Sequence, residues 1–265
     1  MKTLSVLFLA NSFADDTIQY MPEIAKEVGY DLNMYNLYIG GCDINKHINN
    51  IQNNLKAYEL RIYNEKTQLW DTKYDVSANE FIVNQRWDYI ILQQSSFYSG
   101  LPHGLENIEI LVKLIKELAN KDVEFIWNMT WAYPHYSDLE VFAKEYRSDS
   151  QYMYESIVRN VKEYIVPNKD FVKIIPNGTA NINVREYLED KLLFRDGFHL
   201  SYQFGRFLAG LTAVMAITGK DISKVKFHPV EIDEATIEIY KKCVVDAINK
   251  PLKVTRRQLW DTLKN

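Results

Sequence analysis

The sequence predicts an α/β fold in three layers, with a mostly parallel sheet of about five strands between helices. Three observations carry that expectation. Residues 4–9 form an apolar run too short for a typical helix, with one early polar residue, Ser5. Such a run, ended by a turn, is the signature of a strand buried on both faces of a parallel sheet. Residues 15–28 then place Ile18, Met21, Ile24, Ala25 and Val28 at helical spacing, and residues 30–39 alternate as a second strand. Strand, helix, strand in this order is the unit from which parallel sheets are built. Residues 89–92 repeat the short apolar run, and residues 123–127 and the β-branched 171–175 read as fourth and fifth strands.

The remaining elements follow in order. Gly29 is placed to end the first helix in a left-handed cap. Gly40-Gly41-Cys42-Asp43 closes the second strand in a turn where glycines permit positive φ or close backbone approach. Residues 58–63 and 68–74 read as two short strands joined by a polar loop, a small inserted hairpin. Helices are expected over 77–85, 105–119, 138–165, 179–190 and 202–218, the last ended by Gly219. Leu105, Ile108, Leu111, Val112, Ile115 and Leu118 give the 105–119 helix one apolar face. Helical periodicity over 232–248 and 255–263, with Lys250-Pro251 between, makes residues 220–265 a C-terminal helical appendage to a core of about 1–218. No repeat, low-complexity tract or linker interrupts the chain, so residues 1–265 read as a single domain.

Composition excludes several classes of function. Of the 265 residues, 47% are hydrophobic and 25% charged, the balance of a globular protein with a sizeable core. The net charge of −4 argues against a binder of nucleic-acid backbones. No apolar stretch approaches the roughly 18–20 residues of a membrane span. Cys42 and Cys243 make neither a metal spacing nor a disulfide framework, and free thiols in a reducing compartment are expected. His103, His135 and His228 show no metal-ligand spacing. The first apolar run is at the short end of the roughly 7–15 residues of a signal peptide's core, and cleavage there would delete the first strand. A cytoplasmic location is the resulting expectation.

Chemistry gathers at the turns. Ser12 stands in a strand-to-helix turn, at the carboxyl edge of the sheet where open α/β folds put their ligands. A helix cap is the other role open to it. Asp196 and His199 stand three apart in a turn before a helix. A serine nucleophile needs a neutral imidazole to take its proton, and the imidazole needs a carboxylate to fix its tautomer. An isolated D-x-x-H is equally an ordinary loop. In a parallel sheet, however, the turns after the first, second and third strands all face one edge, where a nucleophile, backbone donors and a base can converge.

These motifs together resemble the SGNH (GDSL-type) hydrolases, in a bacterial branch catalogued as a domain of unknown function. The resemblance rests on five ordered blocks across roughly residues 1–216. They are Ala10-Asn11-Ser12-Phe13; Asn36-Leu37-Tyr38-Ile39-Gly40-Gly41-Cys42 with His47 and Asn50; Trp87-Asp88-Tyr89-Ile90 running into Leu92-Gln93-Gln94-Ser95; Thr130-Trp131-Ala132-Tyr133; and Arg195-Asp196-Gly197-Phe198-His199-Leu200. The family fold is likewise a three-layer sandwich, related to flavodoxin. The resemblance implies Ser12 as nucleophile, His199 as general base and acid, and Asp196 as the residue that orients His199. It implies an oxyanion hole from the N–H groups of Ser12 and of Gly41, or alternatively Gly40, completed by a side-chain amide. The family's asparagine is absent, and Gln94 stands in its place, with Gln93 as the alternative. Ala10 and Asn11 depart from the Gly and Asp usual in the first block. Asn11, His47, Trp131 and Tyr133 are expected toward the substrate, with a structural or surface role the alternative for His47 and core packing the alternative for Trp131 and Tyr133, and Cys42 is expected as a small buried residue. The implied activity is metal-independent ester hydrolysis through an acyl-enzyme, acting on a small-molecule or glycan ester such as acetylated carbohydrate, with no cofactor; it assigns no oligomeric state. The rival readings are a flavodoxin-like nucleotide or flavin module, against which stands the missing Gly-rich phosphate loop, and a non-catalytic glycan-binding relative.

Overall fold

The computed structural model describes residues 1–119 and 123–255. The expected helix at 255–263 lies outside the described residues but for its first position. In chain order the elements are β1 (Lys2–Ala10), α1 (Ser12–Ile18), α2 (Met21–Glu27), β2 (Tyr30–Tyr38), α3 (Ile44–Gln52), β3 (Tyr58–Asn64), β4 (Leu69–Val76), α4 (Ala78–Val83) and β5 (Tyr89–Leu92). There follow α5 (Ile108–Leu118), β6 (Glu124–Asn128), α6 (Glu140–Tyr146), α7 (Ser150–Asn160, continued by a π-helical turn over Val161–Ile165), β7 (Phe171–Ile175), α8 (Asn177–Val184), α9 (Asp190–Leu193), α10 (Phe204–Thr218) and α11 (Glu234–Asn249).

One sheet runs in the order β4-β3-β2-β1-β5-β6-β7. The five strands β2, β1, β5, β6 and β7 are parallel to one another, as the strand-helix-strand order predicts. The hairpin does not stand apart. β3 pairs antiparallel with β2, so β3 and β4 extend the sheet to seven strands. β1 is buried from Val6 to Ala10 on both faces, because helices cover both sides of the sheet. On one side α1 and α2 pack with α10, which also meets α8 and α11; on the other α3, α4 and α5 pack together. From β1 the chain passes to β2 on one side, then returns to β5 on the other. The carboxyl end of β1 is therefore the point where strand order reverses, the place where a crevice opens in such sheets.

Local chemistry explains where helices break. The expected helix over 15–28 is two helices. Pro22 belongs in the first turn of α2, where its missing N–H costs nothing, so the chain restarts there. The expected helix over 138–165 breaks after α6 at Arg147 and Ser148, both at positive φ, and Asp149 caps α7 by accepting from Gln151 and Tyr152 N–H. α3 is a helix the strand-and-turn reading passes over. Asp43 caps it through Lys46 N–H, and it buries Ile44, His47 and Ile51. Gly29 and Gly219 take the left-handed conformation expected of helix ends. α11 of the C-terminal appendage packs on α8 and α10. Among the described residues no helix is long and apolar enough to cross a membrane.

Candidate active site

The turn after β1 is built to present a hydroxyl. Asn11 takes extended backbone angles and caps α1, its Oδ1 accepting from Phe13 N–H at 3.1 Å. Its Nδ2 donates to the Cys42 carbonyl at 2.9 Å, which binds the turn after β2 to the turn after β1. Ser12 is then the first residue of α1 and partly exposed. Its N–H lies at a helix start, where no intrahelical acceptor exists. Among the described residues no backbone hydrogen bond takes up the N–H of Ser12 or of Gly41. Gly41 is exposed with φ +62 and open space where a Cβ would be.

His199 meets Ser12 from the far end of the chain. Its Nε2 lies 2.9 Å from Ser12 Oγ and its Nδ1 lies 2.8 Å from Asp196 Oδ2. Asp196 Oδ1 accepts from the N–H groups of Phe198 at 2.9 Å and His199 at 2.7 Å. Partial burial works to raise the Asp196 pKa, but the hydrogen bonds from His199 N–H, the His199 ring and Phe198 N–H outweigh it and hold the carboxyl below its ordinary range. An ionised carboxylate only accepts, so Nδ1 carries the proton and Nε2 is left to accept from the Ser12 hydroxyl.

What brings the two ends together is Asp16, one helical turn below Ser12 and fully buried. Its Oδ1 accepts from Arg195 Nη1 and Arg206 Nε, both at 2.8 Å, and its Oδ2 accepts from Leu200 N–H at 2.8 Å. Arg195 also donates to the Leu200 carbonyl. One carboxylate thus fixes both ends of the loop that carries Asp196 and His199, and anchors α10 beside it. Asp16 passes unnoticed in the sequence, one of two adjacent acids, Asp15 and Asp16, near the start of a helix. The signal was a charge on the helix face that must be buried, which requires partners.

A chain of buried amides holds the sheet edge beneath. Gln93 Nε2 donates to Asn11 Oδ1 at 2.8 Å, Asn128 Nδ2 to Gln93 Oε1 at 2.8 Å, and Asn177 Nδ2 to Asn128 Oδ1 at 2.9 Å. These residues follow or end β1, β5, β6 and β7, so the chain ties four strand ends together. Gln93, expected as an alternative oxyanion donor, is instead a buried link that orients Asn11. Gln94 is corrected too. Its oxygen accepts from Ile44 and Ser95 N–H and its nitrogen donates to the Gly104 carbonyl, so the amide locks the β5 loop to α3.

The four residues expected toward a substrate are buried and occupied elsewhere. Asn11 spends both ends of its amide on the turn. Trp131 stacks on Phe13 with ring centres 4.2 Å apart and donates to the Phe198 carbonyl at 2.8 Å. It supports the loop bearing Asp196 and His199 from below and has no exposed face. Tyr133 is equally buried and donates to Ser96 Oγ at 2.8 Å. His47 lies behind the glycine turn, stacked on Tyr58, with Nδ1 3.1 Å from the Tyr58 hydroxyl. Cys42 and Cys243 are both reduced and buried, and burial pushes the Cys42 thiol up to about 12, which keeps it protonated and inert.

Burial, with Lys46 adding to it, lowers the His47 pKa to about 3 from an ordinary 6.5. Between these values the unfolded chain binds a proton that the folded protein refuses. The resulting stability is complete above pH 6.5 and falls as pH drops toward 3, by up to about 1.4 kcal/mol per pH unit from this one group. Chemical denaturation of the wild type at pH 7 and pH 4 is expected to show this loss, and His47→Gln to reduce it.

A family model described as a domain of unknown function, DUF4886, matches residues 5–247. The crystal structure of a DUF4886 family protein from Bacteroides uniformis ATCC 8492 superposes with a TM-score of 0.90 at 32% identity, over 96% of this chain and 98% of that one. A candidate SGNH hydrolase from Slackia heliotrinireducens superposes with a TM-score of 0.50 at 18% identity, over 82% of this chain and 100% of that one, a likeness of fold. No curated protein matches the chain.

Proposed function

The chain belongs to the DUF4886 family and has the fold of SGNH hydrolases, and on that footing we propose that it is a serine ester hydrolase working through an acyl-enzyme. The observation that carries this reading is the hydrogen-bonded series Ser12 Oγ, His199 Nε2, His199 Nδ1 and Asp196 Oδ2, at 2.9 and 2.8 Å. Ser12 Oγ attacks the ester carbonyl carbon while His199 Nε2 takes its proton. The carbonyl oxygen, now negative, is held by the N–H groups of Ser12 and Gly41. Collapse breaks the bond to the alcohol oxygen, which takes the proton back from His199 and departs. Water then attacks the acylated serine, again giving its proton to His199, and the carboxylic acid leaves with Ser12 restored.

The substrates we propose are carbohydrate or similar small esters bearing short acyl groups, acetyl foremost. Assay against short-chain aryl esters and acetylated sugars tests the activity. Turnover that saturates with substrate is the expected result, and no turnover of any ester by folded protein contradicts it.

Gly41 carries a separate expectation. Its left-handed backbone costs any residue with a Cβ about 1–2 kcal/mol. Gly41→Ala is expected to lose stability on that scale and, by displacing the N–H, to lower kcat about tenfold or more. Gly41→Asn, which tolerates the conformation better, is expected to lose less stability. Thermal melts and initial rates on one aryl acetate measure both effects.

A further inference from the structure

The loop from Gln93 to Leu101 is held from below by buried polar side chains. Tyr133 donates to Ser96 Oγ at 2.8 Å, and Tyr146 donates to the Phe97 carbonyl at 3.0 Å while accepting from Gly100 N–H at 3.1 Å. Asn160 donates to the carbonyls of Ser99 at 3.0 Å and Leu101 at 2.7 Å. A Cβ on Gly100 would stand 2.8 Å from the Tyr146 ring, so the fit is close. Six of the nine residues in this stretch are buried and Leu101 packs on the core, yet Phe97 is partly exposed and Tyr98 is 46% exposed. Phe97 lies outside the hydrophobic core, and the ring it meets is Phe198, 6.4 Å away. The Phe198 ring, also partly exposed, lies 3.9 Å from the ring of His199. A rigid loop therefore presents an aromatic surface that continues onto the catalytic imidazole.

The side of the site is decided by strand order. Gly41 follows β2, on one side of β1, and Phe97 follows β5, on the other. An ester carbonyl oxygen directed at the Gly41 N–H leaves the alcohol oxygen toward His199 Nε2, which must protonate it. The alcohol portion then lies along the imidazole, against Phe198 and Phe97. We propose that Phe97 and Phe198 form the alcohol-side subsite and select a ring-shaped alcohol with a flat apolar face, a pyranose, over a short alkyl chain. Two partly exposed rings fixed in advance by buried hydrogen bonds bind such a face with little ordering cost. The inference rests on the serine esterase reading.

The test compares kcat/KM for a mono-acetylated methyl pyranoside with kcat/KM for ethyl acetate, in the wild type, Phe97→Leu and Phe97→Tyr, each checked for an unchanged melt. Leucine keeps apolar bulk without a flat face, and tyrosine keeps the face. The ratio of pyranoside to ethyl acetate is expected to fall about three- to tenfold in Phe97→Leu, through KM, and to hold in Phe97→Tyr. Turnover of both esters with the same ratio in Phe97→Leu and wild type overturns the subsite and leaves the esterase reading standing. Turnover of neither ester by the wild type overturns the esterase reading and the subsite with it.

Discussion

Ser12→Ala is expected to lower ester turnover by about 10⁴-fold or more while leaving the protein folded. The substitution removes the only atom able to form the acyl-enzyme in the proposed mechanism. What remains is polarisation of the carbonyl by the Ser12 and Gly41 N–H groups, which persist in the alanine variant and act on whatever water reaches the ester. Stability is expected to change little. Ser12 is partly exposed, its hydroxyl meets His199 as its one partner among the described residues, and a single such hydrogen bond contributes about 1 kcal/mol net. The cap of α1 is Asn11 and is untouched. Rates on an aryl acetate, with a thermal melt beside them, check both halves of the expectation.

Asp16→Asn is expected to damage activity and stability together. The carboxylate is fully buried and accepts from two guanidinium groups and one backbone N–H. Breaking a buried ion pair by removing one partner costs about 3–5 kcal/mol, because the other charge is left uncompensated. Here two arginines are left so, although both remain partly exposed and recover some hydration, which puts the expected loss near the lower figure. In a chain of this size about 3 kcal/mol corresponds to a fall in Tm of about 6–12 °C. Below that Tm the variant folds, but the loop bearing Asp196 and His199 has lost its tie to α1. A misplacement of about 1 Å costs about 10²-fold in rate. A fall in kcat of that order, larger than any change in KM, is expected well below the melt, where a purely structural loss would leave kcat unchanged.

The central sheet is legible because burial on both faces writes apolar runs, clearest in β1 and β5, whereas the edge strand β7 is only partly buried and is read from its β-branched residues. The hairpin strands were legible, but not their place. Pairing of β3 on β2 joins Tyr38 to Glu59 and Tyr35 to Ile62, and no local periodicity records which edge a hairpin joins. α3 escapes a sequence reading because its apolar residues Ile44, Ile48 and Ile51 are diluted by six polar neighbours, although Asp43 marks its start. At the site, spacing alone put Asp196 near His199. The meeting with Ser12 across 187 positions followed from topology, since the two turns open at one edge. Asp16 escaped notice because its partners lie 179 and 190 residues away. Trp131 and Tyr133 follow β6 as expected, and of the two roles open to them, pocket wall or core, both take the core. Residues 129–134 after β6 are all buried, and residue type alone does not tell an inward aromatic from an outward one. Phe198, partly exposed, stands inside a block read for its polar members, and Phe97 lies two residues beyond the end of another.

The most direct measurement is covalent labelling with a fluorophosphonate, followed by mass mapping of the modified peptide. The account predicts one phosphonyl group on Ser12 of the wild type, no label at that position in Ser12→Ala, and labelling of Ser12 slowed by orders of magnitude in His199→Ala. Folded wild-type protein that takes no label, or that labels Ser12 equally fast without its imidazole, contradicts it.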